Sequence, residues 1–405
     1  MTSQAPCRRF GECGGCASQD VPYDGQLEAK SERVAAAFAA AGLDLAPAVR
    51  PAPAVWRYRN KLEFAFGDVY PPEDNGPWLR LGFKARKRWN KTVDVGDCLL
   101  ASEDASLLLA RVRAWAEARE LPPYNSVKRT GLLRYLVLRE AKNTGERMVM
   151  LVTTAGDPRL PAAAGLKESF LSALSPVPVT TALWGINAGV SDTAECGSRE
   201  VLTGEGSITE ALNLRGLSAG GDPPAARRSL RFRISPQSFF QTNTLATELL
   251  YSQVREWVRA FSPGAVQDLY CGGGGIGLSV ADLCGELVGV ESNPLGVADA
   301  QANAALNGIG NARFVQGLAE AVLPTLPPAD AVIVDPPRPG LHPKLLAAAV
   351  ARPASRLIYV SCNPDALARD LKALGAVYAV SEAAAFDLFP HTPHVETAVL
   401  LARRG

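Results

Sequence analysis

The chain has 405 residues, 47% hydrophobic and 20% charged, with eight cysteines and a formal net charge of +1. That length exceeds one ordinary core and the composition is that of a globular protein, so two or three domains are expected. The near-neutral balance excludes a polycation, no apolar run has the length of a membrane span, and MTSQAPCRRFGEC carries no secretory signal.

A cytoplasmic protein with reduced thiols is therefore expected, in which clustered cysteines mean metal ligation or catalysis. Neither DNA nor a membrane is an expected partner, and nothing calls for more than a monomer. In chain order, residues 1–100 open with Cys7, Cys13 and Cys16, followed by an Ala-rich helix, QLEAKSERVAAAFAAAG, ended by Gly42. Cys98 comes much later, in VGDCLL. Four thiolates suit zinc or an iron–sulfur cluster, and the spacing alone leaves the metal open. Between them, Arg80–Lys91 (RLGFKARKRWNK) holds six basic residues and no acid, with Phe83 and Trp89 interleaved. Basic groups pair with phosphates and rings stack on unpaired bases, although a charge run is also the ordinary look of a solvated face.

Residues 101–234 alternate short strand-like runs with Gly, Pro and Asn, which reads as an α+β region, and its basic residues make it the expected RNA-binding part if the catalytic signature below holds. LLRYLVLREAKNTGERMVMLVTT predicts a hairpin over Asn143-Thr144-Gly145, and VTTALWGINAG a further strand. Lys128, Arg129 and Arg134, and RRSLRFR (227–233), are basic candidates for RNA. LSAGGDPPAARRSL reads as a loop.

From residue 235 the pattern changes. A helix (LATELLYSQVREWVRAF) leads into AVQDLY and a glycine-rich turn; LVGVES, AVIVDPP and LIYVSC follow, separated by helical segments. Alternating β and α predicts a parallel doubly wound sheet with its ligand site at the carboxyl ends of the strands. The last strand is ETAVLLARR.

Gly272-x-Gly274-x-x-Gly277 follows a strand and opens a helix, and Glu291 ends the next strand, where a carboxylate can grip ribose hydroxyls. NAD, FAD and S-adenosylmethionine fit this equally. Asp335 ends AVIVD before Pro336-Pro337-Arg338, and Cys362 ends LIYVS before Asn363-Pro364. A thiol at a strand tip in a ligand crevice suits covalent chemistry, because the thiolate is the strongest ordinary nucleophile. Cys196, Cys271 and Cys284 lack that placement and read as packing or loop residues. His391 and His394 precede Glu396; the proline between them favours local hydrogen bonding over metal ligation. If the last strand runs antiparallel, Glu396 comes near Cys362. A dehydrogenase leaves DPPR, SCNP and HVE without a role, and a purely RNA-binding protein has no need of the thiol.

These residues resemble the S-adenosylmethionine-dependent RNA uracil-C5 methyltransferases. The matching pieces are SPQSFFQTN, DLYCGGGG, VES, DPPRPG, SCNP and FPHTPHVE, in the family's order, with PPYNSVKRTGLLRYLVLRE and the N-terminal cysteine spacing extending the match. No segment reads as the RNA-binding TRAM barrel of some members, so the chain most resembles the shorter RlmC type of 23S ribosomal RNA enzyme, acting on a hairpin-loop uracil of the 747 type; transfer RNA is the alternative substrate. The resemblance implies Cys362 as nucleophile toward uracil C6 and Glu396 as acceptor of the C5 proton. It implies Gln241, Tyr270, Gly272, Glu291 and Asp335 as contacts of S-adenosyl-L-methionine, and a 4Fe–4S cluster on Cys7, Cys13, Cys16 and Cys98. Phe239 or Phe240 is a candidate to stack on the extruded base. One departure is Val315-Gln316-Gly317-Leu318, which has no acid where many methyltransferases contact adenine. The fold class expected is α/β: a Rossmann-like class I methyltransferase domain with an antiparallel last strand (235–405), preceded by an α+β region carrying a four-cysteine metal cluster.

Overall fold

The computed structural model describes residues 4–68, 78–156, 165–215 and 228–405, without the side chain of Trp89. Most of LSAGGDPPAARRSL, Arg227 included, and the Trp89 ring therefore lie outside the described residues. The chain forms two compact units: residues 1–21, 55–210 and 235–237, and residues 22–54, 211–234 and 238–405.

The first unit is built on a seven-stranded sheet in the order Arg88–Asp94, Leu79–Ala85, Lys61–Asp68, Leu133–Glu140, Arg147–Thr153, Thr181–Ile186, Ser198–Thr203. The expected hairpin is present: Glu140 pairs with Arg147 across the turn, and Gly145 takes φ +78°, the left-handed region open to glycine. The helices Glu103–Ala118 and Leu166–Leu174 share one hydrophobic core with the sheet, with Leu108, Val112, Phe170 and Trp184 among its residues.

The second unit contains an eight-stranded sheet. Its order is Val49–Arg50, Tyr378–Phe386, Glu396–Arg403, Arg356–Ser361, Ala331–Val334, Ala265–Leu269, Glu286–Glu291, Ala312–Gln316. The five strands between Ala265 and Ser361 pair parallel, whereas Glu396–Arg403 runs antiparallel to both its neighbours. The parallel strands AVIV and LIYVS are buried almost throughout, because apolar clusters cover both faces of the sheet. This is the mixed sheet expected of a class I methyltransferase.

The segmentation differs from the contiguous one expected, 1–100, 101–234 and 235–405. The Ala-rich helix forms over Tyr23–Ala40 and ends at Gly42, φ +78°, with Leu43 N–H donating back to Phe38 O. It belongs with the C-terminal residues and not with the cysteines: Val34, Ala37, Phe38 and Val49 bury in the same core as Val399 and Leu401. Val49–Arg50 adds a parallel edge strand beside Ala385 and Phe386. A lone helix and a two-residue strand cannot bury their apolar faces alone, so they fold onto the sheet that can.

Candidate functional site

The glycine turn follows the strand Ala265–Leu269. Tyr270, Gly272 and Gly274 all take positive φ (65°, 52° and 84°), which folds the backbone back over the sheet edge. Gly277 N–H donates to Asp268 Oδ2 at 2.8 Å, and a Cβ on Gly277 would stand 2.7 Å from that oxygen, so only glycine fits. Gly272 N–H donates to Glu291 Oε2 at 3.0 Å, fixing the turn against the second strand's tip.

A cavity opens over this turn. Gln241, Tyr270, Gly272 and Asp335 line it, and Glu291 stands behind Gly272. Tyr251, Asp268, Asp299 and Asn303 also line the cavity and had no assigned role in the sequence. Asn303 Nδ2 donates to Gly273 O at 2.9 Å and its Oδ1 accepts from Arg233 N–H at 2.7 Å; it lies deep in the helix Pro294–Leu306, where no motif marks it. Asp268 Oδ1 is buried with no hydrogen-bond partner, and a donor-bearing ligand fits there. The acids crowd. Burial, then the charges on Asp335 and Glu291, push the Asp268 carboxyl up to about 8, and burial pushes Asp335 up to about 7. Tyr251 is driven well above the usual phenol range by burial and by Asp335, Asp268 and Glu396.

Cys362 follows the strand Arg356–Ser361 and precedes Asn363, whose side chain caps the helix Pro364–Leu374. Ser361 and Thr397 form the last pair of the antiparallel ladder; Cys362 directly follows Ser361 and Glu396 directly precedes Thr397, close enough for the Glu396 charge to act on the thiol. The half-buried thiol is raised by burial, then by Glu396 and Asp335; Arg338 and a backbone hydrogen bond act against this. Glu396 is 3% exposed, its Oε2 has no hydrogen-bond partner, and burial and Asp335 hold its carboxyl well above the usual range while Arg338 opposes them. Asn363 Nδ2 donates to Arg338 O at 3.0 Å, tying the SCNP and DPPR loops together. Asp370, buried under that edge, accepts from Leu341 N–H at 2.8 Å and from the Tyr359 hydroxyl at 2.7 Å. The Cys362 thiol, Glu396, Arg338 and Asp335 thus meet at one edge, and Asp335 also lines the cavity. The histidines serve local hydrogen bonding: His391 pairs with Gln26, and His394 Nε2 lies 3.5 Å from Arg338.

Other expectations separate. Cys7, Cys13, Cys16 and Cys98 line one cavity with Arg59. Among the described residues, however, no group of three or more His, Cys, Asp or Glu side chains is placed to hold a metal ion, so the expected four-cysteine ligand set is not assembled. Burial, with neighbouring thiols, raises Cys13 and Cys98 and takes Cys16 up to about 11, the protonated side of neutrality. Of the basic candidates, Arg86, Lys87, Arg88 and Lys91 are exposed, whereas Lys84 pairs with Asp192 at 2.7 Å. Arg134 is no surface cation: it is 3% exposed, bonded to Gly189 O and Ser191 O, and lies 3.8 Å over the Tyr124 ring. Phe83 packs 5.0 Å from Phe64, which takes its ring from the expected stacking set. Phe240 packs on Phe232, whereas Phe239 is 67% exposed at the cavity.

Comparisons agree with this geometry. A family model described as tRNA (Uracil-5-)-methyltransferase matches residues 328–404. An uncharacterized RNA methyltransferase of Clostridium tetani is 37% identical over 407 residues, spanning 99% of this chain and 84% of the relative. The tRNA (uracil(54)-C(5))-methyltransferase of Pyrococcus horikoshii is 34% identical, spanning 97% and 84%. The crystal structure of Pyrococcus abyssi tRNA (uracil-54, C5)-methyltransferase in complex with S-adenosyl-L-homocysteine superposes with a TM-score of 0.75 at 29% identity, over 96% of this chain and 86% of that one. The chain belongs to the RNA uracil-5-methyltransferase family.

Proposed function

We propose that the chain methylates C5 of a uracil in RNA, with Cys362 as nucleophile and Glu396 as base. The observation that supports this is the antiparallel ladder that ends at Ser361–Thr397, with Cys362 and Glu396 the adjoining residues, together with the electrostatic influence of Glu396 and Asp335 on the thiol. Uracil C5 is a poor nucleophile by itself. Addition of the Cys362 thiolate to C6 makes C5 enolate-like, so that it can take a methyl group. Glu396 then accepts the C5 proton; the C5–H electron pair restores the C5–C6 double bond, and the C6–S bond breaks to return the thiolate.

S-adenosylmethionine supplies the electrophilic methyl carbon when bound. Gln241, Tyr270, Gly272, Glu291 and Asp335 are the residues that would hold it, and the unpartnered Asp268 oxygen and the glycine turn suit such a ligand. Intact mass of the protein with S-adenosylmethionine and 5-fluorouridine RNA tests the reaction. Fluorine cannot leave as a proton, so the adduct persists on Cys362 and is absent in Cys362→Ala.

For the RNA, two readings stand. The 23S ribosomal hairpin rests on the resemblance to the shorter enzymes; transfer RNA is supported by the named Pyrococcus relatives. Mapping 5-methyluridines in total RNA from a deletion strain decides between them. Iron and sulfide analysis of anaerobically purified protein tests whether the cavity shared by Cys7, Cys13, Cys16 and Cys98 takes a 4Fe–4S cluster.

A further inference from the structure

Resting on the reading of Glu396 as the base, we propose that Gln26 and Lys30 are positioning residues: the N-terminal helix holds the loop 387–395 so that Glu396 stands near Cys362. Gln26 Oε1 accepts from His391 N–H at 2.9 Å, and Gln26 Nε2 lies 3.2 Å from His391 Nδ1. Lys30 Nζ donates to Asp387 Oδ1 at 2.6 Å and to Phe389 O at 3.1 Å. Arg33 Nη1 donates to Pro393 O at 2.8 Å. Positions 26, 30 and 33 share one helix face, so successive turns grip the loop at alternate residues, 387, 389, 391 and 393.

Packing does not require these side chains. Val34, Ala37 and Phe38 already bury the helix, yet Gln26 and Lys30 are only 4% and 3% exposed. Polar groups buried that deeply persist where their hydrogen bonds are used. The loop in turn needs holding. His391 takes φ +65°, a left-handed conformation that a non-glycine residue keeps only when its surroundings impose it. Asp387 Oδ1 also accepts from Phe389 N–H at 3.0 Å, so the carboxylate that receives Lys30 closes the turn as well.

The grip reaches the base through short covalent distances. Phe386 pairs with Glu396 in the sheet, Asp387 follows Phe386, and the buried Val395 precedes Glu396. The loop is thus pinned by strand pairing at its root and by the helix along its length. Cys362, on another strand, receives none of these bonds. Loosening the helix contacts therefore weakens proton removal from C5 and spares addition at C6.

The test uses the full-length protein, S-adenosylmethionine, and bulk RNA from a strain deleted for it, with the same RNA from cells grown in 5-fluorouracil as the adduct probe. Gln26→Ala should lower turnover at least about tenfold, as small misplacements of reacting groups do. Its adduct rate on fluorinated RNA should stay near wild type, and a methylated protein–RNA adduct should accumulate on ordinary RNA. Equal loss of both rates, unchanged turnover, or lost turnover without that accumulation would overturn the proposal. Arg33→Ala removes a half-exposed donor to Pro393 O and a 3.7 Å ion pair with the exposed Asp365, and should show the same split more weakly. Where melting shows Gln26→Ala unfolded, Arg33→Ala decides, and the absence of a split sinks the idea. Failure of the wild type to form the fluorinated adduct would instead overturn the reading of Cys362.

Discussion

Cys362 directly follows Ser361 and Glu396 directly precedes Thr397, the two residues of the last pair between their antiparallel strands. Cys362 leaves the C-terminal end of its strand and Glu396 opens the N-terminal end of the next, so only an antiparallel pair brings both to one edge. A parallel last strand would have carried the carboxylate to the opposite edge of the sheet.

That juxtaposition separates the two steps by mutation. Glu396→Gln should keep adduct formation and lose about 10² to 10⁴ in turnover, the usual worth of a general base. Denaturing electrophoresis should then show protein bound to ordinary RNA. An unbound Glu396→Gln protein with normal turnover would remove Glu396 from the reaction.

If Asp335 holds the sulfonium as proposed, cofactor affinity should depend on pH. Burial holds its carboxyl up to about 7, so it is mostly protonated near pH 6 and mostly charged near pH 8. Only the charged form attracts a sulfonium. Calorimetry should find S-adenosylmethionine binding up to about tenfold tighter at the higher pH. The neutral thioether S-adenosylhomocysteine should show a smaller change, and Asp335→Asn should flatten the dependence; an unaltered slope in that variant counts against the assignment.

Asp268 ties stability to pH with a definite sign. Its carboxyl goes from an ordinary 3.8 up to about 8, chiefly through burial. Between those values the folded chain keeps a proton that the unfolded chain releases. This stabilisation is complete below about pH 4 and is lost as the pH rises through about 8. Asp268→Asn has no such proton to lose, so its Tm should fall less than that of wild type between about pH 6 and about pH 9. Identical slopes would refute this account.

The two adjacent phenylalanines should behave differently. Phe240→Ala removes a ring packed on Phe232 and should cost about 3 kcal/mol of stability. Phe239→Ala, at a 67% exposed position, should leave Tm unchanged and weaken RNA binding by about 1 to 3 kcal/mol, the worth of one base stacked on a ring. Filter binding and thermal melts on both variants check the pair.

The arginines divide in the same way. Charge removal at exposed Arg86 and Arg88 should leave folding intact and lower the slope of log affinity against log salt by about 0.7 for each phosphate no longer neutralised. Arg134→Ala should lower Tm, since it strips the donors from Gly189 O and Ser191 O. A salt slope that responds to Arg134 and ignores Arg86 would reverse the picture.

Several elements in both halves of the chain were readable because their signals are local. Gly272-x-Gly274-x-x-Gly277 carries its own turn geometry, the apolar runs before Asp335 and Cys362 announce buried strands, and Asn143-Thr144-Gly145 closes a hairpin by itself. The sequence by itself thus determined the α/β alternation, the strand tips and the residues that stand on them. Tertiary structure alone decided which tips meet. It gave the helix Tyr23–Ala40 to the distant C-terminal unit, buried Arg134 while leaving Arg86 exposed, sent Phe240 inward and Phe239 outward, and brought Asn303 and Tyr251 to the cavity. It also left the four N-terminal thiols facing one cavity without assembling them as a ligand set. The physical reason is range: periodicity and turn chemistry act over a few residues. Exposure, and a pairing such as Gln26 with His391, depend on how the whole sheet closes.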